Sequence, residues 1–271
     1  MLVGVRALLL GLLLAVLGGV PGLAPGSSTA AAQQGEPLRV GTYFDNVPWG
    51  FRDEKGEVVG FEIDLVQQIS RILGRPIEYQ GMGFRELFTA LAANRIDLAV
   101  SSVSITPERL AHVDFTQSYY ETAQGVLVMK KSGMRDVADL AGKTVSVTSG
   151  TTSERWVVAN AQRFGFGRTS FSQGSSDGVR LLDAGAVDAY VGDLPTLLYQ
   201  LLKRPDLAVI ARLPGQERYG IALAKDSPLT AKVDAAITRL KQDGTMARIH
   251  KRWFGMAPDK QSATVKVLPR P

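Results

Sequence analysis

The chain has 271 residues, of which 45% are hydrophobic and 21% charged, so it has room for a large core and is not the composition of a disordered protein. Its net charge is +5, but acidic residues lie between many of the basic ones and no basic run is interleaved with aromatic residues, so the sequence does not indicate a nucleic-acid-binding protein. Cysteine is absent, which excludes disulfides, thiol catalysis and Cys-ligated metal sites.

Residues 1–32 are predicted to be a signal peptide. Arg6 supplies the positive start, residues 7–20 form an apolar run rich in Leu, and three alanines at 30–32 offer a cleavage point before Gln33. The apolar run is shorter than the roughly 20 residues of a membrane span, although an uncleaved anchor is the alternative. Because no cysteine is present to carry a lipid, we expect a soluble exported protein in the periplasm of a double-membraned bacterium.

The first part of the chain predicts alternating strands and helices. Residues 38–42 alternate as a strand, and the loop 43–49 follows at its carboxyl end, where ligands collect in open α/β sheets. Apolar residues at helical spacing then predict a helix that ends at Gly74, followed by a strand at 77–79. A second helix is predicted from about 84 to 93.

The stretch that follows carries the main functional signal. Residues 98–103 are predicted to be a buried strand, and Thr106 followed by Pro107 predicts a helix start, so Arg109 falls in the first turn. A cation there opposes the helix dipole at a cost of roughly 0.3–1 kcal/mol, whereas a bound anion reverses the sign. Three hydroxyls precede it, those of Ser101, Ser102 and Ser104. A carboxylate clamp is one interpretation; a solvated arginine paired with an acidic neighbour is the other.

The second part of the chain repeats this plan. Strands are predicted at 125–129 and 144–148, and the latter leads to Thr151 and Glu154 at capping-box spacing before a helix that reaches Phe164. Residues 181–191 echo residues 91–100 in the order of helix end, turn, Asp and buried strand. The echo predicts two lobes of similar plan, although a generic helix–strand join would produce the same pattern.

The remaining elements are a helix from Asp193 to about 202, strands at 207–210 and 219–224, and helices at 229–242 and 246–253 before a polar tail. Together with the earlier stretches they carry eight motifs in order: VGTY…VPWGF, GEVVGFEIDL, the Phe84 helix, IDLAVSSVSITPER, VDFTQSYY, LAGKTVSVTSGTTSE, VDAYVGD and LKQDGTMARIHKRWFG. In these motifs the chain resembles the polar amino-acid-binding family of extracytoplasmic solute-binding proteins of ABC importers (family 3).

The resemblance implies an α/β fold of the two-lobed, type II periplasmic-binding-protein kind, called the Venus flytrap, with two crossover strands and a ligand in the interlobe cleft. Lobe 1 would comprise residues 38–120 plus 219–254, lobe 2 residues 121–218, and residues 255–271 a C-terminal tail. The implied partners are a free amino acid and the inner-membrane permease. A monomer without cofactor or metal is expected.

The resemblance also implies roles for individual residues. Arg109 would bind the ligand's α-carboxylate, helped by Ser104 and the backbone N–H of Thr152. Asp193 would accept the α-ammonium beside Ser102, although Asp193 is equally suited to capping its helix.

Phe84 would stack on the ligand, with packing in the core as its alternative, and Trp49 is expected to pack rather than to contact ligand. Tyr43 and Asn46 are candidates from the loop, and Thr148, Tyr43, Asp45 and Gln124 would line the side-chain pocket. Relatives that bind basic amino acids or glutamine often have an acidic residue at the place of Tyr43, and many have an aromatic residue at the place of Asn46; both are missing here. We therefore expect a neutral or an acidic polar ligand, and leave the choice between them open.

An enzyme on the same fold is the alternative function, in particular a periplasmic dehydratase of the cyclohexadienyl or arogenate type. It would need an arginine for the substrate carboxylate together with an acid in the cleft, for which Glu154 is the candidate. The two histidines, His112 and His250, fall in no catalytic or metal motif.

Overall fold

The structure is a computed structural model that describes residues 35–271. The predicted signal peptide, residues 1–32, and its cleavage point before Gln33 lie outside the described residues. Among the residues that are described, no helix has the length and apolar character needed to span a membrane.

Two five-stranded sheets of the same plan organise the chain. With strands numbered in chain order, the first sheet runs from edge to edge as β5 (Ile77–Gly81), β1 (Leu38–Thr42), β6 (Leu98–Ala99), β15 (Ala222–Ala224) and β7 (Val113–Phe115). The second runs as β11 (Arg168–Ser172), β10 (Thr144–Thr148), β12 (Ala189–Asp193), β9 (Gln124–Met129) and β13 (Leu207–Arg212). In each sheet three parallel strands are followed by a strand antiparallel to its neighbours. The predicted repeat of plan is confirmed.

Two strands outside these sheets join them. Strand β8 (Tyr120–Thr122) carries the chain from the first sheet to the second, β14 (Glu217–Tyr219) carries it back, and the two pair antiparallel. A small sheet of β2 (Asp45–Asn46), β3 (Gly50–Arg52) and β4 (Val58–Val59) follows β1. The two crossovers implied by the resemblance are therefore β8 and β14.

The helices cover both sheets. They are α1 (Phe61–Leu73), α2 (Phe84–Ala92), α3 (Pro107–Leu110), α4 (Thr152–Phe164), α5 (Ser175–Asp183), α6 (Leu194–Leu201), α7 (Thr230–Gln242) and α8 (Thr245–Phe254), with 3₁₀ turns at Lys130–Ser132 and Val137–Leu140. Helix α1 ends as predicted at Gly74, whose φ of 65° suits the left-handed C-cap. Helices α1, α7 and α8 bury their apolar faces in one core, together with Trp49, which is fully buried as predicted.

Two predicted strands are wrong in extent. The strand at 98–103 is reduced to Leu98–Ala99, because Ser102 takes a φ of +48° that no strand accommodates. The strand at 219–224 is interrupted at Gly220 and Ile221, since its first residue belongs to the crossover β14 and its last three to the first sheet. Strand β11 was not predicted at all.

Residues 255–271 form no helix or strand, but they are packed against the protein. Ala263 and Thr264 are each only 2% exposed. The buried ammonium of Lys241 donates to the carbonyl oxygen of Lys266 at 2.9 Å and to that of Ser118 at 2.7 Å. The tail is thereby attached to the segment that leads into β8.

Two glycines before α1 differ in how much space a side chain would have. Gly60 has a φ of +146°, and a Cβ there would lie 2.0 Å from the carbonyl oxygen of Trp49, whereas Gly56 has a φ of +82° with open space around it. We expect Gly56→Ala to cost about 1–2 kcal/mol of unfolding free energy and Gly60→Ala clearly more, because backbone must also move. Urea denaturation measures both; equal costs would contradict the clash at Gly60.

Candidate functional site

A cavity lies between the two sheets and is lined by residues from both. It leaves an empty volume of about 540 Å³, part of it open to solvent. All nine residues predicted from the sequence line it: Tyr43, Asn46, Phe84, Ser102, Ser104, Arg109, Thr148, Thr152 and Asp193. The structure brings these side chains together from five separate stretches of the chain, while their roles in binding stay predictions.

The Arg109 side chain spans the cleft. Its guanidinium is buried and donates from Nη1 to the carbonyl oxygen of Ser104 at 2.8 Å and from Nη2 to that of Gly150, on the opposite side, at 3.2 Å. It also lies 5.2 Å from the ring centroids of Phe84 and Phe88. In residues 35–271 no carboxylate forms an ion pair with it. The interpretation of Arg109 as a solvated surface residue is wrong.

The helix that carries Arg109 is short. Thr106 caps it by accepting from the backbone N–H of Arg109 at 3.3 Å, as predicted, but the helix ends at Leu110 after a single turn. Because the macrodipole is a sum over aligned peptides, one turn supplies little of it. Burial, rather than the dipole, is the main electrostatic influence on Arg109. Burial, together with the nearby positive charge of Arg155, lowers its pKa to about 10.

Asp193 faces the cleft instead of capping its own helix. It occupies the N-cap position of α6, yet its side chain makes no capping hydrogen bond. Its Oδ2 accepts from the Ser102 hydroxyl at 3.0 Å, and that hydroxyl accepts in turn from Asn46 Nδ2 at 3.0 Å. Burial, followed by the negative charge of Glu217, raises the pKa of Asp193 to about 6. The carboxyl group therefore has a cleft partner and a destabilised charge.

Phe84 belongs partly to the core and partly to the cleft. It opens α2, packs edge-on against Phe88 with ring centroids 5.7 Å apart, and also lines the cavity. Its two predicted roles, core packing and contact with a bound molecule, are therefore compatible.

The part of the cavity lined by Tyr43, Asp45, Thr148 and Tyr190 is polar. We call it the side-chain compartment. The Tyr43 hydroxyl donates to Asp45 at 3.4 Å, and the hydroxyls of Thr148 and Tyr190 lie 2.9 Å apart. Asp45 also accepts from the hydroxyl of Ser176 on α5, across the cleft. In the described part of the chain no Lys or Arg side chain pairs with Asp45, and burial raises its pKa.

The sequence did not point to several lining residues of the second sheet, chiefly Gly174, Ser175, Tyr190 and Thr196. Gly174 and Ser175 follow the carboxyl end of β11, so the rule that selected the loop after β1 would have found them had β11 been predicted. A Cβ on Gly174 would lie 2.4 Å from the Tyr43 ring, so the glycine permits a close approach between the two sides.

Other candidates fall outside the cavity lining. Gln124 donates to Thr152 Oγ1 at 2.7 Å behind the cleft, and His250 Nδ1 lies 2.9 Å from the carbonyl oxygen of Met256. Glu154 caps the start of α4, where its carboxylate accepts from the Gly150 N–H, and it pairs with Arg85 at 3.1 Å. Among residues 35–271 no cluster of His, Asp and Glu suits a metal ion.

Two ion pairs of opposite polarity connect the sides of the cleft at its rim. Arg85 of α2 pairs with Glu154 of α4, and Glu108 of α3 pairs with Arg155 of α4. Arg85, Glu108 and Arg155 are exposed and Glu154 is only partly buried, so each pair contributes little to stability.

Comparison with known proteins gives consistent matches. The sequence profile described as "Bacterial extracellular solute-binding proteins, family 3" matches residues 38–256. The arginine-binding extracellular protein ArtP of Bacillus subtilis is 34% identical over 84% of this chain and 91% of its own length. The L-cystine-binding protein TcyJ of Escherichia coli is 30% identical over 79% of this chain and 80% of its own.

Solved structures match equally well. An ancestral arginine-binding protein bound to arginine has a TM-score of 0.77 and 36% identity, covering 81% of this chain and 98% of its own. The two-lobed fold predicted from the sequence is thereby confirmed.

The rim pair of Glu108 and Arg155 should be weak and screened by salt. Because both groups are exposed, we expect their coupling in a double-mutant cycle of Glu108→Ala and Arg155→Ala to be small compared with that of a buried ion pair. It should vanish near 1 M NaCl, where the Debye length is about 3 Å. Urea denaturation at low and high salt provides the measurement, and a coupling that persists in high salt would show that the pair is effectively buried.

Proposed function

Because the chain belongs to the bacterial extracellular solute-binding proteins of family 3, we propose that it binds a polar L-amino acid between its lobes and delivers it to the permease of an ABC importer. The proposal rests on two side chains of opposite charge that line the same cavity. Arg109 is buried and Asp193 is partly buried in the lining; the two are opposite in charge and form no ion pair with each other. A free amino acid carries the two complementary charges.

The binding roles follow from the hydrogen-bond partners that each group has within the protein. Among residues 35–271 the Arg109 guanidinium donates only to two backbone carbonyls, so a carboxylate gives its planar fork a stronger, charge-assisted partner. Asp193 and the Ser102 hydroxyl already meet, and the α-ammonium binds beside them. Ser104 and the Thr152 N–H complete the carboxylate end, and Phe84 covers the aliphatic part.

Closure of the lobes around β8 and β14 assembles the site. Arg109, Ser102 and Asn46 come from the first lobe, while Asp193, Thr148 and Thr152 come from the second, so only the closed form offers both charges at once. A bound amino acid then favours that form, because it contacts both lobes there and one lobe otherwise. The permease, in the inner membrane of a bacterium that exports this protein to its periplasm, receives the closed complex.

Asp45 determines which side chains fit. It is a partly buried carboxyl group that receives hydrogen bonds from Tyr43 and Ser176 and has no cationic partner in the described chain. A ligand side chain with hydrogen-bond donors complements it, whereas a second carboxylate beside it would be repelled. Neutral side chains with donors, such as that of glutamine, and cationic side chains, such as that of arginine, therefore fit beside Asp45, whereas acidic side chains do not. Relatives named for arginine and cystine are consistent with this range.

The dehydratase alternative requires an acidic side chain in the cleft, for which Glu154 was the candidate. Glu154 does not line the cavity, because it caps α4 and pairs with Arg85 at the rim. The matched relatives are named as binding proteins. Incubation with prephenate or arogenate and detection of an aromatic product tests this alternative directly.

Calorimetry of the purified protein against the twenty amino acids, cystine and ornithine tests the proposal. We expect one or a few polar ligands to bind, and Arg109→Ala to weaken binding at least 100-fold, because the loss of a buried charged hydrogen-bond donor costs about 3 kcal/mol or more. Arg85→Ala is the matched control: it removes an exposed arginine outside the cavity and should change affinity less than about threefold. Retained affinity in Arg109→Ala would refute the proposed site.

Asp45→Asn tests the side-chain compartment. It keeps the size of the side chain but removes its charge, so we expect it to weaken arginine or lysine at least about tenfold more than it weakens glutamine. The same calorimetric panel supplies the ratio. Equal losses for cationic and neutral amino acids would mean that Asp45 does not face the ligand side chain.

A further inference from the structure

A buried carboxyl group lies behind the cleft, outside the lining. Glu62 is in the first turn of α1 and is 0% exposed, yet no cation pairs with it in residues 35–271. A carboxyl group in such surroundings is costly unless hydrogen bonds compensate it. Burial raises its pKa to about 7.

The hydrogen bonds of Glu62 connect two distant segments. Its Oε1 accepts from the backbone N–H of Ser102 at 2.8 Å and also from the Tyr119 hydroxyl, while Oε2 has no hydrogen-bond partner in the described part of the chain. Tyr119 immediately precedes crossover β8, and its own N–H donates to the carbonyl oxygen of Tyr219 in crossover β14 at 2.9 Å. One carboxyl oxygen therefore joins Ser102 to the place where both crossovers meet.

Ser102 needs such a partner because its backbone is strained. Its φ of +48° is uncommon for a residue other than glycine and costs about 1–2 kcal/mol. In that conformation the N–H points back to Glu62, and the hydroxyl points into the cleft toward Asp193 and Asn46. Without the acceptor at Glu62, the same N–H would be buried without a partner, and an extended Ser102 would turn its hydroxyl elsewhere.

We propose that Glu62 is a positioning residue for amino-acid binding, which holds Ser102 so that its hydroxyl meets Asp193 across the cleft and ties that arrangement to the crossovers through Tyr119. The proposal rests on the proposed function, since the ligand's α-ammonium binds beside Ser102 and Asp193. The proposal gives Glu62, the glutamate of the GFEIDL motif, a role in ligand binding in addition to its place in the fold.

Four variants separate positioning from general stability. Glu62→Gln keeps an acceptor for the Ser102 N–H, Glu62→Leu removes it, and Tyr119→Phe removes the connection to the crossovers. Ile69→Ala is the control: Ile69 is fully buried in the same helix and core, so its loss destabilises the protein with Glu62 and Ser102 intact. The probe is the amino acid that binds wild type most tightly in the panel above, and thermal melts accompany calorimetry.

We expect Glu62→Leu to weaken binding at least about tenfold, Glu62→Gln to stay within about threefold of wild type, and Ile69→Ala to lose stability without comparable loss of affinity. In a Ser102→Ala background Glu62→Leu should cost less than about twofold, because the hydroxyl it positions is gone. If Glu62→Leu does not fold, Tyr119→Phe replaces it in the same cycle.

An undiminished effect in the Ser102→Ala background, or an equal affinity loss in Ile69→Ala at matched stability, would overturn the positioning role. These results differ from failure of the proposed function, which would appear as no binding of any amino acid by wild type and would remove the positioning role with it.

Discussion

The central constraint of the cleft is a buried guanidinium, that of Arg109, which has no carboxylate partner among residues 35–271. It donates to one carbonyl oxygen on each side of the cavity and so links the two lobes. Desolvation of that charge is unfavourable, which is reflected in its lowered pKa, and two neutral acceptors compensate it only partly. A ligand carboxylate that enters from solvent compensates the charge of Arg109 better than these two carbonyls do. Asp193, on the other side of the cleft, can accept the ligand's ammonium group.

The fold explains how these groups meet. In both sheets the cleft residues follow the carboxyl ends of parallel strands: the loop after β1, the serines after β6, Thr148 and Thr152 around the end of β10, and Asp193 at the end of β12. Because the two sheets share one plan, joining them through β8 and β14 places two such edges face to face. The same crossovers are reached from the site through Glu62 and Tyr119, so the geometry of the cleft and that of the hinge are connected.

Much of this could be predicted from the sequence where the signal was local. The Thr106–Pro107 start, the Gly74 stop and the loop after β1 each follow from a few neighbouring residues, and all nine predicted residues line the cavity. The left-handed Ser102 had no local signal, because its conformation depends on an acceptor forty positions earlier. Gly174 escaped notice because β11, the strand before it, was not predicted, and Tyr190 escaped notice because its proximity to Thr148 arises only from the tertiary fold.

The most direct test is a crystal structure of the protein with the amino acid that binds it most tightly. The account predicts the α-carboxylate about 2.7–2.9 Å from the Arg109 guanidinium nitrogens and the α-ammonium in hydrogen-bond contact with Asp193, with the lobes closed. A bound amino acid whose carboxylate lies away from Arg109, with that guanidinium still held only by Ser104 and Gly150, would contradict it.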